Sequence, residues 1–456
     1  MLLVAAFMGQ FDFFVVNVAA PAIQSSLGAS EMQLELVVGG YAFAYASGLI
    51  VGGRLGDLYG HRRMYGLGLA LFGITSLLCG LAPDAWLLVA ARALQGLAAA
   101  VMIPQVLAVV NTSMPADRRG WAVGWYGVAT GSGAIAGQIL GGAFVDIDVA
   151  GLGWRAIFLI NVPIAAVTLA AALLIVPAGR RPDAPDPDLS AAAGIALGLV
   201  LILAPSVLGR EQGWPLWLWP VAAAGAGMLW SVWRHENRLA ARGGAPIVDA
   251  TLLAVPSLAR GVIASAAFML YFGSFMFRLT ILLQQGEHLD ALHAGLVFAP
   301  SGVTFALCSL LMRGWVAGHR LQAIRTGTAI TAGGLLVAIA GLTISGAPTV
   351  GLIVLAVCLT GAGNGLVLPT LIGYALSDIP PARAGVGSGL VTAAQQFAAS
   401  AGVAILGTAY FAIAGADGHQ HAMAYTLPAD IALLATVAFI AGRRPSARHA
   451  VTPDGR

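Results

Sequence analysis

The chain contains no lysine; all 23 of its Lys+Arg residues are Arg. A G-x-x-x-x-G-K-[ST] phosphate loop therefore cannot be built, which excludes ATP hydrolysis by that route. Charge of either sign is scarce, at 9% of residues, against roughly 25% in a soluble domain. Cysteine is also rare. Cys79, Cys308 and Cys358 all sit in apolar runs, so they read as small hydrophobes and not as a disulfide framework or metal set. The eight histidines fall in or beside loops. The i, i+2 pair His419 and His421 is no more than a hint of a metal, so neither metal nor cofactor is expected. A net charge of +3 is too small to point to nucleic acid. Nothing in the chain resembles an enzyme site.

What the chain has is apolar length. Hydrophobic residues make up 59% of its 456 residues, and the mean hydropathy is +0.86. A span needs about 20 apolar residues. Such windows fall near 2–23, 36–53, 64–82, 86–110, 121–145, 155–176, 189–208, 216–233, 258–284, 293–312, 324–345, 350–373, 384–414 and 425–441. Fourteen windows give an all-α polytopic membrane protein with both termini on one side. Arg92, Arg155, Arg210 and Arg278 are four of the 23 basic residues; the other nineteen fall on the side of the first loop. The positive-inside bias then puts both termini in the cytoplasm. Trp86, Trp154, Trp214, Trp217 and Trp219 mark the outer interface, and Trp121, Trp233 and Trp315 the inner one.

Two stretches break the apolar pattern. Pro177 to Asp188 is Pro- and Asp-rich, and Arg234 to Pro256 is a longer charged segment. They bracket two spans. The expected plan is a six-helix bundle over 1–178, cytoplasmic linkers with two extra spans over 179–257, a second six-helix bundle over 258–445, and a tail over 446–456. The bundles repeat. At a shift of 265, Gly96 meets Gly361, Pro104 meets Pro369, Pro115 meets Pro380 and Arg118 meets Arg383. Gly137 meets Gly402 and Gly142 meets Gly407 in the same register. Duplicated helical halves are a transporter device, with the substrate site between the repeats. The register sets Asp12 opposite Phe277 and implies a first span short at its start, or a chain that begins upstream.

A charged knot, Gly53-Arg54-Leu55-Gly56-Asp57-Leu58-Tyr59-Gly60-His61-Arg62-Arg63, separates two uncharged runs. It must be a tight turn on one face. It resembles the G-x-L-[AG]-D-x-x-G-[RK]-[RK]-[RK] loop of the major facilitator superfamily, with Leu58 and His61 departing from the common residues. Asp12-Phe13-Phe14-Val15-Val16-Asn17-Val18-Ala19-Ala20-Pro21 resembles the L-D-x-T-[IV]-V-N-V-A-L-P motif of its fourteen-span drug:proton antiporters. Phe14 stands where Thr is usual. Arg92-Ala93-Leu94-Gln95-Gly96 resembles R-x-x-Q-G. Trp154-Arg155-Ala156-Ile157-Phe158-Leu159-Ile160-Asn161-Val162-Pro163 resembles W-R-x-x-F-x-I-N-[VL]-P. Gly133, Gly137, Gly141 and Gly142 follow the exporter motif G-x-x-x-G-P-x-x-G-G, with Gln138 in place of Pro. The resemblance covers essentially the whole chain and implies a major facilitator fold, two six-helix bundles plus two extra spans.

Candidate residues follow from both lines. Asp12 lies inside the first span, where a carboxylate costs a few kcal/mol and normally faces a cavity; it reads as a proton site or cation contact, or as an Asp bonded to a neighbouring helix. Arg92 cannot give up its proton, so it biases a neighbouring carboxylate or snorkels to the interface. Arg278 stands level with Asp12 by the repeat. It is expected to pair with Asp12 across the cavity or to snorkel outward. Asn17, Gln138, Phe275, Asn364, Gln395 and Gln396 complete the candidate substrate cavity. Phe268, Tyr271, Phe272 and Phe277 offer a further aromatic wall or ordinary packing, and Asp430 is a lesser polar candidate. Gly53, Asp57, Gly60, Arg62 and Arg63 form the expected gating loop.

The resemblance implies a proton-coupled exporter of drugs or other amphipathic small molecules, working by alternating access. The alternative is a transporter of the same fold dedicated to one metabolite or antibiotic. Its partners would be the small-molecule substrate, protons and the bilayer, with the protein a monomer. The Arg-, Ala- and Gly-rich, Lys-free composition suits a GC-rich bacterial genome, and hence the bacterial inner membrane.

Overall fold

The structure, a computed structural model, describes residues 1–148, 151–175, 189–208, 213, 215–242, 252, 254–344, 349–379 and 384–442. Long helices dominate: α1 (Leu2–Leu27), α2 (Glu31–Tyr59), α3 (His61–Gly80), α4 (Ala85–Ser113), α5 (Ala116–Ile147), α6 (Asn161–Ile175) and α7 (Leu189–Leu208). After these come α8 (Leu218–Ala241), α9 (Pro256–Ile281), α10 (Ala291–Leu311), α11 (Arg320–Thr343), α12 (Thr349–Ala375), α13 (Ala384–Asp417) and α14 (His419–Gly442). Among the described residues, 11 helices are long and apolar enough to cross a membrane. The other expected windows are helical too, as α2, α7 and α8, each of which includes residues whose side chains lie outside the described set. In hydrocarbon a helix satisfies its own backbone groups, which is why apolar runs of this length take no other form.

Polar residues set the helix ends. Ser30 caps α2 in a reciprocal box with Gln33, through bonds of 2.9 and 3.3 Å. Asp84 caps α4 and Asp290 caps α10 through the amides of Leu87 and His293. The knot is as tight as expected. Gly60 alone separates α2 from α3, at φ +95, a conformation that strains any residue with a Cβ.

The two described ends of the chain lie on the same side of the helix bundle. Gln285 bonds Gln24 near the close of α1, and Gly286 packs on His419 at the start of α14. So α14 runs back to the end where α1 begins. We call this the terminal end and the opposite one the distal end.

The repeat seen at a shift of 265 reappears as matched packing. A Cβ on Gly96 would stand 2.3 Å from the Tyr41 carbonyl oxygen of α2, and one on Gly361 would stand 2.3 Å from that of Ser301 in α10. Gly137 likewise abuts Phe11 of α1, and Gly402 abuts Leu270 of α9. Gly142 and Gly407 both face the other set of helices. The first meets Ala291 of α10 and the second Glu35 of α2. The sets α1–α6 and α9–α14 therefore meet along two seams, α5 with α10 and α2 with α13. The extra hairpin closes on itself at Gly198 and Gly225, and α7 leans on α2 and α13.

The tryptophans divide. Trp86, Trp217, Trp219 and Trp233 are exposed, as an interface position requires. Trp154 is not an interface marker: it is buried, edge-on to Phe158 and covered by the Arg155 guanidinium. Trp214, the linker Pro177 to Asp188 and the tail 446–456 lie outside the described residues, as do the side chains of Trp121, Arg54 and Asp57.

Candidate functional site

Asp12 is fully buried in α1, and three side chains from two other helices converge on it. Gln95 Nε2 donates to Oδ1 at 2.8 Å and Asn161 Nδ2 donates to the same oxygen at 3.0 Å. The Arg92 guanidinium pairs with Oδ2. Arg92 is itself fixed: Nε donates to the Val37 carbonyl of α2 at 3.1 Å, and Nη1 donates to Gln95 Oε1 at 2.6 Å. Its charge lies 4.4 Å from the Tyr41 ring centroid. Gln95 also donates to Ser76 Oγ of α3 at 2.8 Å. Five helices thus meet in one polar network, three of them at the carboxylate itself. Arg92 does not snorkel; it is fully buried and spent on Asp12. Its Nη2 has no hydrogen-bond partner, leaving one donor in reserve.

The fifth-helix motif explains how α1 is held. Gly133, Gly137 and Gly141 recur every four residues. Their Cβ positions would fall 2.5 Å from Phe7 O, 2.7 Å from Phe11 O and 3.0 Å from Val15 Cγ2. The three glycines form a track on which α1 lies, bracketing Asp12. Gln138 leaves α5 unbroken where the motif usually has Pro. Its Nε2 points at Met276 of α9 at 4.0 Å, and Oε1 has no partner.

Arg278 does not pair with Asp12, and it does not snorkel. It is fully buried, with Nη2 2.5 Å from Asp430 Oδ2 of α14. Ser274, one turn earlier, supplies both its carbonyl and its hydroxyl to Arg278 at 3.2 Å. Equal height on matched helices does not fix direction around the axis, and α14 presents a carboxylate closer at hand. Each helix set therefore has its own buried ion pair.

The remaining candidates separate. Asn364 belongs to the interior of the second set, donating to Tyr271 Oη at 3.4 Å and accepting from Thr331 at 3.2 Å. Phe275 is buried and stacks on Tyr271. Asn17 is buried, with a long 3.5 Å bond back to Phe13 O and an unpartnered Oδ1. Gln395 is buried with an unpartnered Nε2, and Gln396 is half-buried. Phe14 meets Phe272 edge-on at 6.0 Å, so aromatic rings join α1 of one set to α9 of the other. Phe272 stacks in turn on Phe268, and Phe277 packs on Phe411 of α13.

In the knot, the close approach falls one residue earlier than the motif suggests. A Cβ on Gly53 would meet Pro104 at an ordinary 3.9 Å, whereas one on Gly52 would stand 2.0 Å from Ala100 O. Gln105 of α4 ties the turn together, donating to Gly52 O at 2.7 Å and meeting His61 Nδ1 at 2.9 Å. Arg62 donates to the Leu173 carbonyl at the end of α6, and Arg63 is exposed.

One charged residue escaped the sequence reading. Glu35 lies one position before the expected second span, yet it is buried, and Thr408 of α13 donates to both its oxygens at 3.3 and 3.1 Å. The capping box at Ser30 was the available signal, since it starts the helix five residues earlier. The Glu35 bond crosses between the sets at the distal end. So do Gln284 to Val18 O at 2.7 Å, Gln285 to Gln24 at 2.9 Å and the Leu292 amide to Asp146 at 2.6 Å.

The comparisons agree with this geometry. The chain is 37% identical over 418 residues to a "Probable actinorhodin transporter" of Streptomyces coelicolor, covering 91% of this chain and 72% of that protein. It is 33% identical to the "Cephamycin export protein CmcT" of Amycolatopsis lactamdurans, covering 88% and 82%. It is also 33% identical to the "Puromycin resistance protein pur8" of Streptomyces alboniger, covering 89% and 80%. Among solved structures, an auto-inhibited POT family peptide transporter superposes with a TM-score of 0.70 at 16% identity, over 98% of this chain and 96% of that one. A D-xylose-proton symporter superposes at 0.66 and 14%, over 97% and 96%. These two likenesses concern the fold alone. The Major Facilitator Superfamily model matches residues 2–403, and the chain is a multi-pass membrane transporter belonging to that superfamily.

Proposed function

We propose that this protein exports amphipathic, largely aromatic small molecules in exchange for protons, with Asp12 as the proton-binding group. The observation that carries the reading is a fully buried carboxylate held by Arg92, Gln95 and Asn161 in the first helix set. A proton arriving on Asp12 forms an O–H bond and cancels the carboxylate charge. Arg92 cannot be deprotonated, so it keeps its charge and loses its counter-ion. It must then turn to water, substrate or another acceptor. That change in pairing links the proton to a rearrangement of α1, α2 and α4. The membrane potential contributes about 2.3 kcal/mol per charge per 100 mV to such a step.

In this reading all fourteen long helices span the bilayer, and the terminal end faces the cytoplasm of a bacterial cell, as the Arg distribution favours. The inter-set bonds at the distal end then describe a transporter closed to the outside. The Phe14–Phe272 contact, with Phe268 beside it, gives a planar or aromatic substrate a surface to stack on. The similarity to a cephamycin export protein and a puromycin resistance protein supports export and a substrate of this kind.

The test is transport of a dye panel by the protein in proteoliposomes under an imposed pH gradient. Asp12→Asn keeps size and polarity but cannot titrate, so uphill transport should be lost while the protein still inserts. Normal uphill transport by this variant would remove Asp12 from the mechanism. A second reading, dedication to a single compound, is favoured by the 37% identity to a transporter named for one antibiotic. A panel in which only one chemical class competes would select it.

A further inference from the structure

The second helix set contains a polar network that the Asp12 mechanism does not use. Asp430 is fully buried in α14 and bonded to Arg278 and Ser274 of α9. Arg278 Nη1 has no partner, so the guanidinium is held incompletely. On the distal side stands Tyr410 of α13, also buried. Its hydroxyl meets His419 Nδ1 at 3.0 Å. His419 is half-buried, the first residue of α14, on the distal face. An imidazole and a phenol that can exchange protons thus stand in contact between the distal surface and the buried part of α14 that carries the carboxylate.

We propose that Asp430 is a second proton-binding site, held by Arg278 and loaded from the distal face through His419 and Tyr410. The proposal extends the proton-coupled reading above and rests on it for its role in transport. The chemistry balances simply. An imidazolium at His419 donates a proton to the Tyr410 oxygen while the phenol releases its own to water, which passes a proton on to the carboxylate. Asp430 gains an O–H bond, His419 returns to neutral, and Arg278 keeps its charge. The pair Arg278–Asp430 then passes from net neutral to a single positive charge in the interior. That cost favours rearrangement around Arg278, whose Nη1 already lacks an acceptor.

The site is a partner to Asp12 with the polarity exchanged. In the first set the acid is on the first helix, and in the second set the base is. The groups that face Asp430 limit the alternatives. From α9 come Arg278 and Tyr271, while Tyr410 of α13 lies toward the distal end, on His419. His419 opens α14, with His288 near it and Glu287 bonded to Gln420. Arg325 of α11 lies at the opposite end of α14, against Gly442.

The test needs no transported substrate. Full-length protein in detergent is taken from neutral to acid pH, and infrared difference spectra record the carbonyl band of newly protonated buried carboxyls. Asp430→Asn should remove one band and Asp12→Asn a different one. Because Asp430→Asn strands Arg278 and can fail to fold, the double variant Arg278→Gln with Asp430→Asn is run beside it. His419→Gln changes a half-buried distal residue. It should leave the Asp430 band in place and slow its appearance after an acid jump by several-fold. The absence of any band that depends on Asp430 overturns the site, whatever Asp12 does. An unchanged rate in His419→Gln overturns the route. Absence of any band that depends on Asp12, with the Asp430 band present, would sink the earlier reading and leave Asp430 as a proton site.

Discussion

Arg278 and Asp430 stand 152 residues apart in sequence and 2.5 Å apart in space, the closed ion pair of the second helix set. Removing one partner leaves the other as an uncompensated buried charge, which costs about 3–5 kcal/mol. Removing both is close to neutral. Arg278→Gln should therefore lower the apparent melting temperature in detergent sharply, and adding Asp430→Asn should restore most of it. If the two losses simply add, the pair is not coupled and the geometry described here is wrong.

Much of this architecture was legible in the chain, and the reason is physical. A bilayer forces apolar runs into helices, so fourteen windows became fourteen helices with edges displaced by a few residues. The repeat was legible because glycine at a helix crossing tolerates no Cβ, as at Gly96 and Gly361. Around Asp12, Gln95 and Asn161 were already present in the motifs that carried the family resemblance. What the sequence did not give is direction around a helix axis. Periodicity placed Arg278 at the height of Asp12 but could not say that its side chain turns to α14. Glu35 was missed for a related reason. A carboxylate at a predicted span edge reads as solvated, and only the seam with α13 buries it.

The glycine track on α5 gives an internally controlled prediction. A Cβ on Gly137 would fall 2.7 Å from Phe11 O, whereas one on Gly131, in the same helix, meets nothing within 4 Å. Gly131→Ala should be tolerated or slightly stabilising, since Gly in a helix costs about 1 kcal/mol relative to Ala. Gly137→Ala must push α1 away and should cost about 1–3 kcal/mol by overpacking. It should also impair proton-driven transport by moving Asp12 against Arg92. Thermal stability and transport measured on both variants decide the matter, and equal behaviour would remove α5 as the support of Asp12.

The knot between α2 and α3 should govern the rate of the cycle and not the grip on substrate. A Cβ on Gly56 would stand 1.9 Å from Gln105 Oε1 and 2.7 Å from His61 Nδ1. Gly56→Ala therefore displaces the Gln105 side chain that joins α4 to the turn. Arg62→Ala separately frees the Leu173 carbonyl at the end of α6. Both variants should turn over more slowly in proteoliposomes while equilibrium dye binding in detergent stays the same. Weakened binding with normal turnover would show that the knot is not a gate.

The seam between α2 and α13 offers the most direct test of alternating access. A Cβ on Gly39 would lie 3.2 Å from Ser400 Oγ and 3.8 Å from Ser400 Cα. Those distances put the two Cβ atoms within the range that a disulfide spans, about 3.5–4.5 Å. Gly39→Cys with Ser400→Cys, in a background where Cys79, Cys308 and Cys358 are replaced by Ser, should cross-link on mild oxidation. The bond would hold the two helix sets together along the α2–α13 seam, at the middle of α13. Export should stop when the pair is oxidised and return when it is reduced, while each single variant should transport in both conditions. Substrate should still bind from the terminal end of the oxidised protein, because that end is not joined by the new bond. A cross-linked protein that continues to transport would mean that the α2–α13 seam does not open during the cycle, and the rocking of two helix sets would have to be abandoned.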